Sequence, residues 1–159
     1  MTSRAQGVVI RSDPLGSPLR PINDQSRMNE MNTSDSEFVR HSIWEHVPEA
    51  RPFVTEIEEE EWETTNGECS DPGMYSMLSY GFVHPVFRPA LEESARETLV
   101  RSARLIEALL GSGRPQVIEL VSIRVTDQLL GFPELWERFA SYAGPRMRFE
   151  ADLRREYYR

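Results

Sequence analysis

The chain has 159 residues, 39% apolar and 28% charged, with one cysteine and a formal net charge of −8; this suits a single domain of the usual ~100–200 residues and excludes collagen-like, wholly disordered and disulfide-stapled chains. Neutralising phosphates takes a concentrated cationic surface, so the acidic balance disfavours nucleic acid as a ligand; it is compatible with a basic protein partner, whose encounter it would accelerate. All 18 basic residues are arginine, as codon bias in a GC-rich genome produces, and this excludes lysine Schiff bases and a P-loop lysine.

Residues 1–33 read as a disordered leader: Pro14, Pro18, Pro21, Gly7 and Gly16 stand among Ser, Asn and Asp, with no apolar period of 2 or 3.6. One folded domain is expected over 34–159, enough chain for a modest core. Gly7-Val8-Val9-Ile10 falls far short of the roughly 18 apolar residues of a membrane span, and a lone cysteine asks for no oxidising compartment. The expectation is a soluble, cytoplasmic protein.

A first helix is expected over 36–47, with Asp35 as N-cap and Pro48 as its stop. Val39, Ile43 and Val47 recur there at i, i+4, i+8, beside Trp44. A second, short helix covers 53–64, with Phe53 and Ile57 inward and Glu56, Glu58, Glu59, Glu60 and Glu61 mostly outward. Asn66-Gly67 and Asp71-Pro72-Gly73 are turn signals around Cys69. Residues 74–87 are aromatic-rich and broken by Gly81 and Pro85, which suggests a short helix leading into an extended linker, or a strand.

Pro89 suits the first position of a long helix, 89–110, which Gly111-Ser112-Gly113 ends. Leu91, Ala95, Leu99, Ile106 and Leu110 form its buried face, with Ala103 and Leu109 beside it, and Glu92–Arg96 and Glu97–Arg101 are i, i+4 pairs. Residues 115–130 are apolar almost all round; a run of that length without a turn signal reads as a helix at the centre of the core. Pro133 opens another short helix with Leu135, Trp136 and Phe139 inward, and Pro145 opens the last, where Leu153 and Tyr157 repeat at i+4. The fold class expected is all-α, a small bundle or helical-hairpin stack of about five to six helices.

Motifs for chemistry are scarce. His41 and His46 are five residues apart and do not share a helix face; His84 and Cys69 sit in separate turn-rich stretches, with neither a metal-ligand spacing nor a nucleophile signature around them. The acidity is local instead: residues 37–65 hold nine glutamates against Arg40 and Arg51. Glu56, Glu58, Glu59, Glu60, Glu61, Trp62 and Glu63 are the candidate partner-binding residues, a docking strip for basic side chains with Trp62 as an aromatic anchor. The alternative is a solvated helix face.

Leu105-Ile106-Glu107-Ala108-Leu109-Leu110-Gly111-Ser112-Gly113, Gln116-Val117-Ile118-Glu119-Leu120-Val121, Asp127-Gln128-Leu129-Leu130 and Ala143-Gly144-Pro145-Arg146-Met147-Arg148-Phe149-Glu150 resemble a family of small bacterial helical proteins. Tyr80-Gly81-Phe82-Val83-His84 is similar to the aromatic link ahead of that family's long helix. The family is described only as a domain of unknown function, and several members resemble immunity proteins of bacterial toxin systems. The resemblance implies an all-α fold and brings no catalytic residue.

The function expected is therefore non-catalytic: an immunity or antitoxin-like protein that neutralises a basic toxin domain by occluding its active site, with no cofactor, metal, nucleic acid or membrane. Two rivals are a regulatory or scaffold adaptor binding through 82–87, and a small hydrolase assembled from His84, Glu107, Arg124 and Asp127.

Overall fold

Ser34, one residue before the expected Asp35, caps the first helix of the computed structural model, which describes residues 33–157. The leader expected over 1–33 lies, Thr33 apart, outside the described residues. Helix α1 spans Asp35–His46, and Ser34 Oγ accepts a hydrogen bond from the Glu37 N–H at 3.1 Å. Asp35 is thereby free to receive Arg114 at 2.9 Å, whose guanidinium also lies over the Phe38 ring. Val39, Ile43 and Val47 are fully buried, as their spacing predicts.

A 3-10 turn, Pro48–Ala50, leads into α2, Arg51–Thr64. Val54 is fully buried, while Phe53 and Ile57 are half-buried against the core. The left-handed residues Asn66 and Gly67 then reverse the chain.

Helix α3, residues 74–93, corrects the expected linker. Met74–Leu78 passes without a break into a π-helical stretch, Ser79–Phe87, and then into Arg88–Glu93. Pro85 offers no N–H, and in an α-helix its ring would crowd the carbonyl of Gly81. The wider turn, in which the Arg88 N–H donates to the Val83 carbonyl, makes room for the ring. Burial keeps the segment helical: Met77, Leu78, Phe82, Val83, Val86 and Phe87 are all core residues. Pro89 consequently lies inside α3 and opens nothing.

The long helix expected over 89–110 is divided at Ser94, which is left-handed at φ 56°. Helix α4 is Arg96–Leu110, burying Leu99, Ser102, Ala103, Leu105, Ile106 and Leu109. Helix α5, residues 115–131, comprises Pro115–Val121, a second π-helical stretch, Ser122–Thr126, and Asp127–Gly131. One face of it is buried, through Val117, Leu120, Val121, Val125 and Leu129, whereas Ile123 is exposed; it borders the core where the apolar run had suggested its centre.

Helix α6, Pro133–Ala140, turns Leu135 and Phe139 into the core. Phe139 meets Phe87 edge-on at 5.2 Å, and Phe87 stacks on Phe82 at 5.3 Å, so an aromatic row joins α6 to α3. Helix α7, Pro145–Tyr157, buries Met147 and Ala151. Its Leu153 and Tyr157 are exposed, one face round from the core. Arg154 clasps Asp127 through two hydrogen bonds of 2.9 and 2.7 Å, tying α7 to α5. The protein is an all-α bundle of seven helices among the described residues, where five to six were expected. No helix among these residues is long and apolar enough to cross a membrane.

Candidate partner-binding site on helix α2

Helical geometry sorts the glutamates of α2 into two groups. Glu56, Glu59, Glu60 and Glu63 stand at i, i+3, i+4 and i+7 and are all exposed, forming one outward face. None of the four makes an ion pair among the described residues. Glu58 and Glu61 turn toward the body and are half-buried. Arg40 on α1 draws Glu58 aside with an Nε–Oε2 hydrogen bond of 2.9 Å, and its guanidinium also lies over the Trp44 ring. Sequence reasoning placed Glu58 and Glu61 outward because the partner of Glu58 is 18 residues away and leaves no local signal.

Trp62, 52% exposed, borders the acidic face. The Asn66-Gly67 turn folds back beneath its ring: the Gly67 N–H donates to the Trp62 carbonyl at 2.8 Å, and a Cβ on Gly67 would stand 3.4 Å from the ring. The turn is held in its own right, since Thr65 Oγ1 accepts from the Cys69 N–H and donates to the Cys69 carbonyl. Asp71 closes the loop by accepting from Ser36 Oγ at 2.6 Å and from the Gly73 N–H at 2.9 Å. The indole is thus supported on one side and open on the other, as an anchoring side chain has to be.

The remaining reactive side chains are dispersed. Cys69 is exposed and its Sγ accepts from the Asp71 N–H at 3.3 Å, while the exposed His84 ring lies 5.5 Å from that of Tyr80. Glu107 receives the Arg146 and Met147 N–H groups at the start of α7, and Asp127 receives Arg154. Arg124 lies over the Tyr75 ring. Each residue of the proposed hydrolase site is engaged with a different neighbour. The adaptor surface proposed over 82–87 is also corrected: Phe82 is fully buried and Phe87 nearly so, because the segment is core helix.

Among the described residues no group of three His, Cys, Asp or Glu side chains converges where a metal ion could be held. Glu49 is held well below the usual carboxylate range, at about 2, chiefly by its hydrogen bond from Arg101. This pair ties the 3-10 turn to α4. Comparison with protein-family models, with curated proteins and with solved structures finds nothing that matches this chain.

Proposed function

We propose that this chain is a non-catalytic binding protein of the immunity or antitoxin kind, which neutralises a basic toxin enzyme by laying the outer face of α2 across its substrate cleft. The observation that carries the reading is the set of four exposed carboxylates on that face, Glu56, Glu59, Glu60 and Glu63, without counter-ions and beside the exposed Trp62. The arrangement is unfavourable to the helix itself. Like charges at i, i+4 repel, and Glu60 and Glu63 lie toward a C-terminus whose last turn holds no basic residue to offset the helix dipole. Locally costly features of this kind concentrate where a surface is used.

A row of carboxylates on a rigid helix presents negative charge to a cationic cleft as a polyanionic substrate does, and it steers the encounter at low salt. The resemblance of 105–113 and 143–150 to a helical family with immunity-like members supports the same reading. No bond-making step is required of the chain itself.

The test begins with purification of the tagged protein from its native cells at low and at high salt. Expected is a stoichiometric basic enzyme that dissociates as salt rises and whose activity the protein inhibits. Substituting Glu56, Glu59, Glu60 and Glu63 together by Gln weakens the complex at least about tenfold with the helical circular dichroism unchanged. A partner that remains fully active in the complex, or equal affinity of the fourfold variant, overturns the proposal.

A further inference from the structure

An open groove of about 560 Å³ lies between α4 and the α6–α7 corner, with Arg96, Val100, Ala103, Arg104 and Glu107 along its α4 side. Arg96, Val100 and Arg104 follow one another at i, i+4, i+8 and so share one side of α4. Both arginines are exposed, and neither makes an ion pair among the described residues. The groove's one carboxylate does not answer them: Glu107 Oε1 accepts from the Arg146 N–H at 3.2 Å and Oε2 from the Met147 N–H at 2.8 Å. The ion pair of Glu107 is with Arg146, 60% exposed and outside the lining of the groove, at 3.9 Å. In a chain of net charge −8, this groove is lined by two arginines, Arg96 and Arg104, that have no ion-pair partner among the described residues.

We infer that this groove is a second binding site, which takes an extended acidic segment of a partner protein with the pattern acidic–x–apolar–x–acidic. Eight residues of α-helix separate Arg96 from Arg104, about 12 Å along the axis. An extended strand advances about 3.3 Å per residue, so side chains i and i+4 lie about 13 Å apart and point to the same side, with i+2 between them. Two carboxylates at that spacing reach both guanidiniums, and the intervening apolar side chain meets half-buried Val100 and buried Ala103. A small anion spans only one of the two cations. The groove shares no residue with the acidic face of α2, so the two sites stand or fall separately.

The probe is a fluorescein-labelled peptide, Gly-Ser-Glu-Ser-Leu-Ser-Glu-Ser-Gly, titrated by anisotropy against the full chain at low salt. Saturable binding is expected, weakened about tenfold or more by Arg96→Glu or by Arg104→Glu. Arg155→Glu, the same charge change at a residue paired with Asp152 and set over the Trp136 ring, shifts it by less than about threefold. Moving the second Glu one position closer turns it to the other side of the strand and weakens binding about tenfold. Absence of saturable binding overturns the inference, as does an equal loss with Arg155→Glu or indifference to spacing. Self-association that Arg104→Glu abolishes, without peptide binding, overturns it in favour of a second copy as the occupant; competition by inorganic phosphate at the same affinity overturns it in favour of a small anion.

Discussion

Glu49 and Arg101, 52 residues apart in the chain, meet at 2.5 Å, so that the 3-10 turn between α1 and α2 is fastened to the middle of α4. Arg101 Nε adds contacts of 3.1 and 3.0 Å, and Thr98 Oγ1 donates at 2.7 Å. The carboxyl consequently titrates near 2, from an ordinary 4.5. Because the folded form holds the depressed value, the stabilisation is complete above the ordinary value and is lost as pH falls toward 2. Discounted for the solvent that still reaches both side chains, the pair contributes about 1–2 kcal/mol. Urea unfolding of wild type should therefore lose about that much between roughly pH 5 and 2, and the profile of Glu49→Gln should be flatter by the same amount.

Gly144 sits where a Cβ would collide with the carboxyl of Glu107, which in turn receives the N–H groups of Arg146 and Met147. Gly144→Ala should destabilise the protein by about 1–3 kcal/mol through overpacking. Glu107→Ala should cost about 1–2 kcal/mol, the usual loss for removing a helix cap. The two effects share one cause, so the double variant should be less destabilised than their sum by at least about 0.5 kcal/mol in chemical denaturation. Strict additivity would show that the cap does not exist in solution.

Phe82 is fully buried and stacks on Phe87. Phe82→Ala is expected to remove about 3–5 kcal/mol, measured as a lower urea midpoint at unchanged slope. A loss below about 1 kcal/mol would place the side chain at the surface.

On α2, the i, i+4 pairs Glu56–Glu60 and Glu59–Glu63 set like charges side by side. Replacing Glu60 and Glu63 by Gln should raise stability by a few tenths of a kcal/mol, seen as a higher thermal midpoint. Added salt should erase the gain by screening the wild type. A variant less stable than wild type would mean that these carboxylates have a structural partner.

What the sequence made legible follows from local physics. The i, i+4, i+8 run of Val39, Ile43 and Val47 and the opening prolines of α5, α6 and α7 needed nothing beyond their neighbours, and each is where it was expected. The division at Ser94 was hidden because Leu91, Ala95 and Leu99 continue one period across it, and a serine carries no marker for a left-handed backbone. Gly81 and Pro85 misled for the opposite reason: they are strong local breakers, overridden by the burial of Phe82, Val83, Val86 and Phe87. Of the acidic strip, the composition was plain. Its division into four outward glutamates and two inward ones depended on Arg40 and the packing of α2. Arg96, Val100 and Arg104 stand at i, i+4, i+8 in the sequence, but only the arrival of the α6–α7 corner makes that stripe a concavity, and nothing local marks it.

The wide turn within α3 also governs phase. Relative to a regular α-helix it accommodates an added residue, and each residue of an α-helix advances about 100° around the axis. If Pro85 were deleted, the backbone could close into an unbroken α-helix with everything beyond still in phase, because the wide turn already absorbs one residue; a further inserted residue would instead rotate everything beyond it by that angle. On such an insertion Ala90 and Leu91 would swing from the interior toward water and carry the carbonyls that Arg138 grips at the end of α3 to the wrong side. Helix α3 therefore tolerates the loss of a residue from this stretch far better than the gain of one, and single-residue insertions should be purged from it in any lineage that keeps the fold.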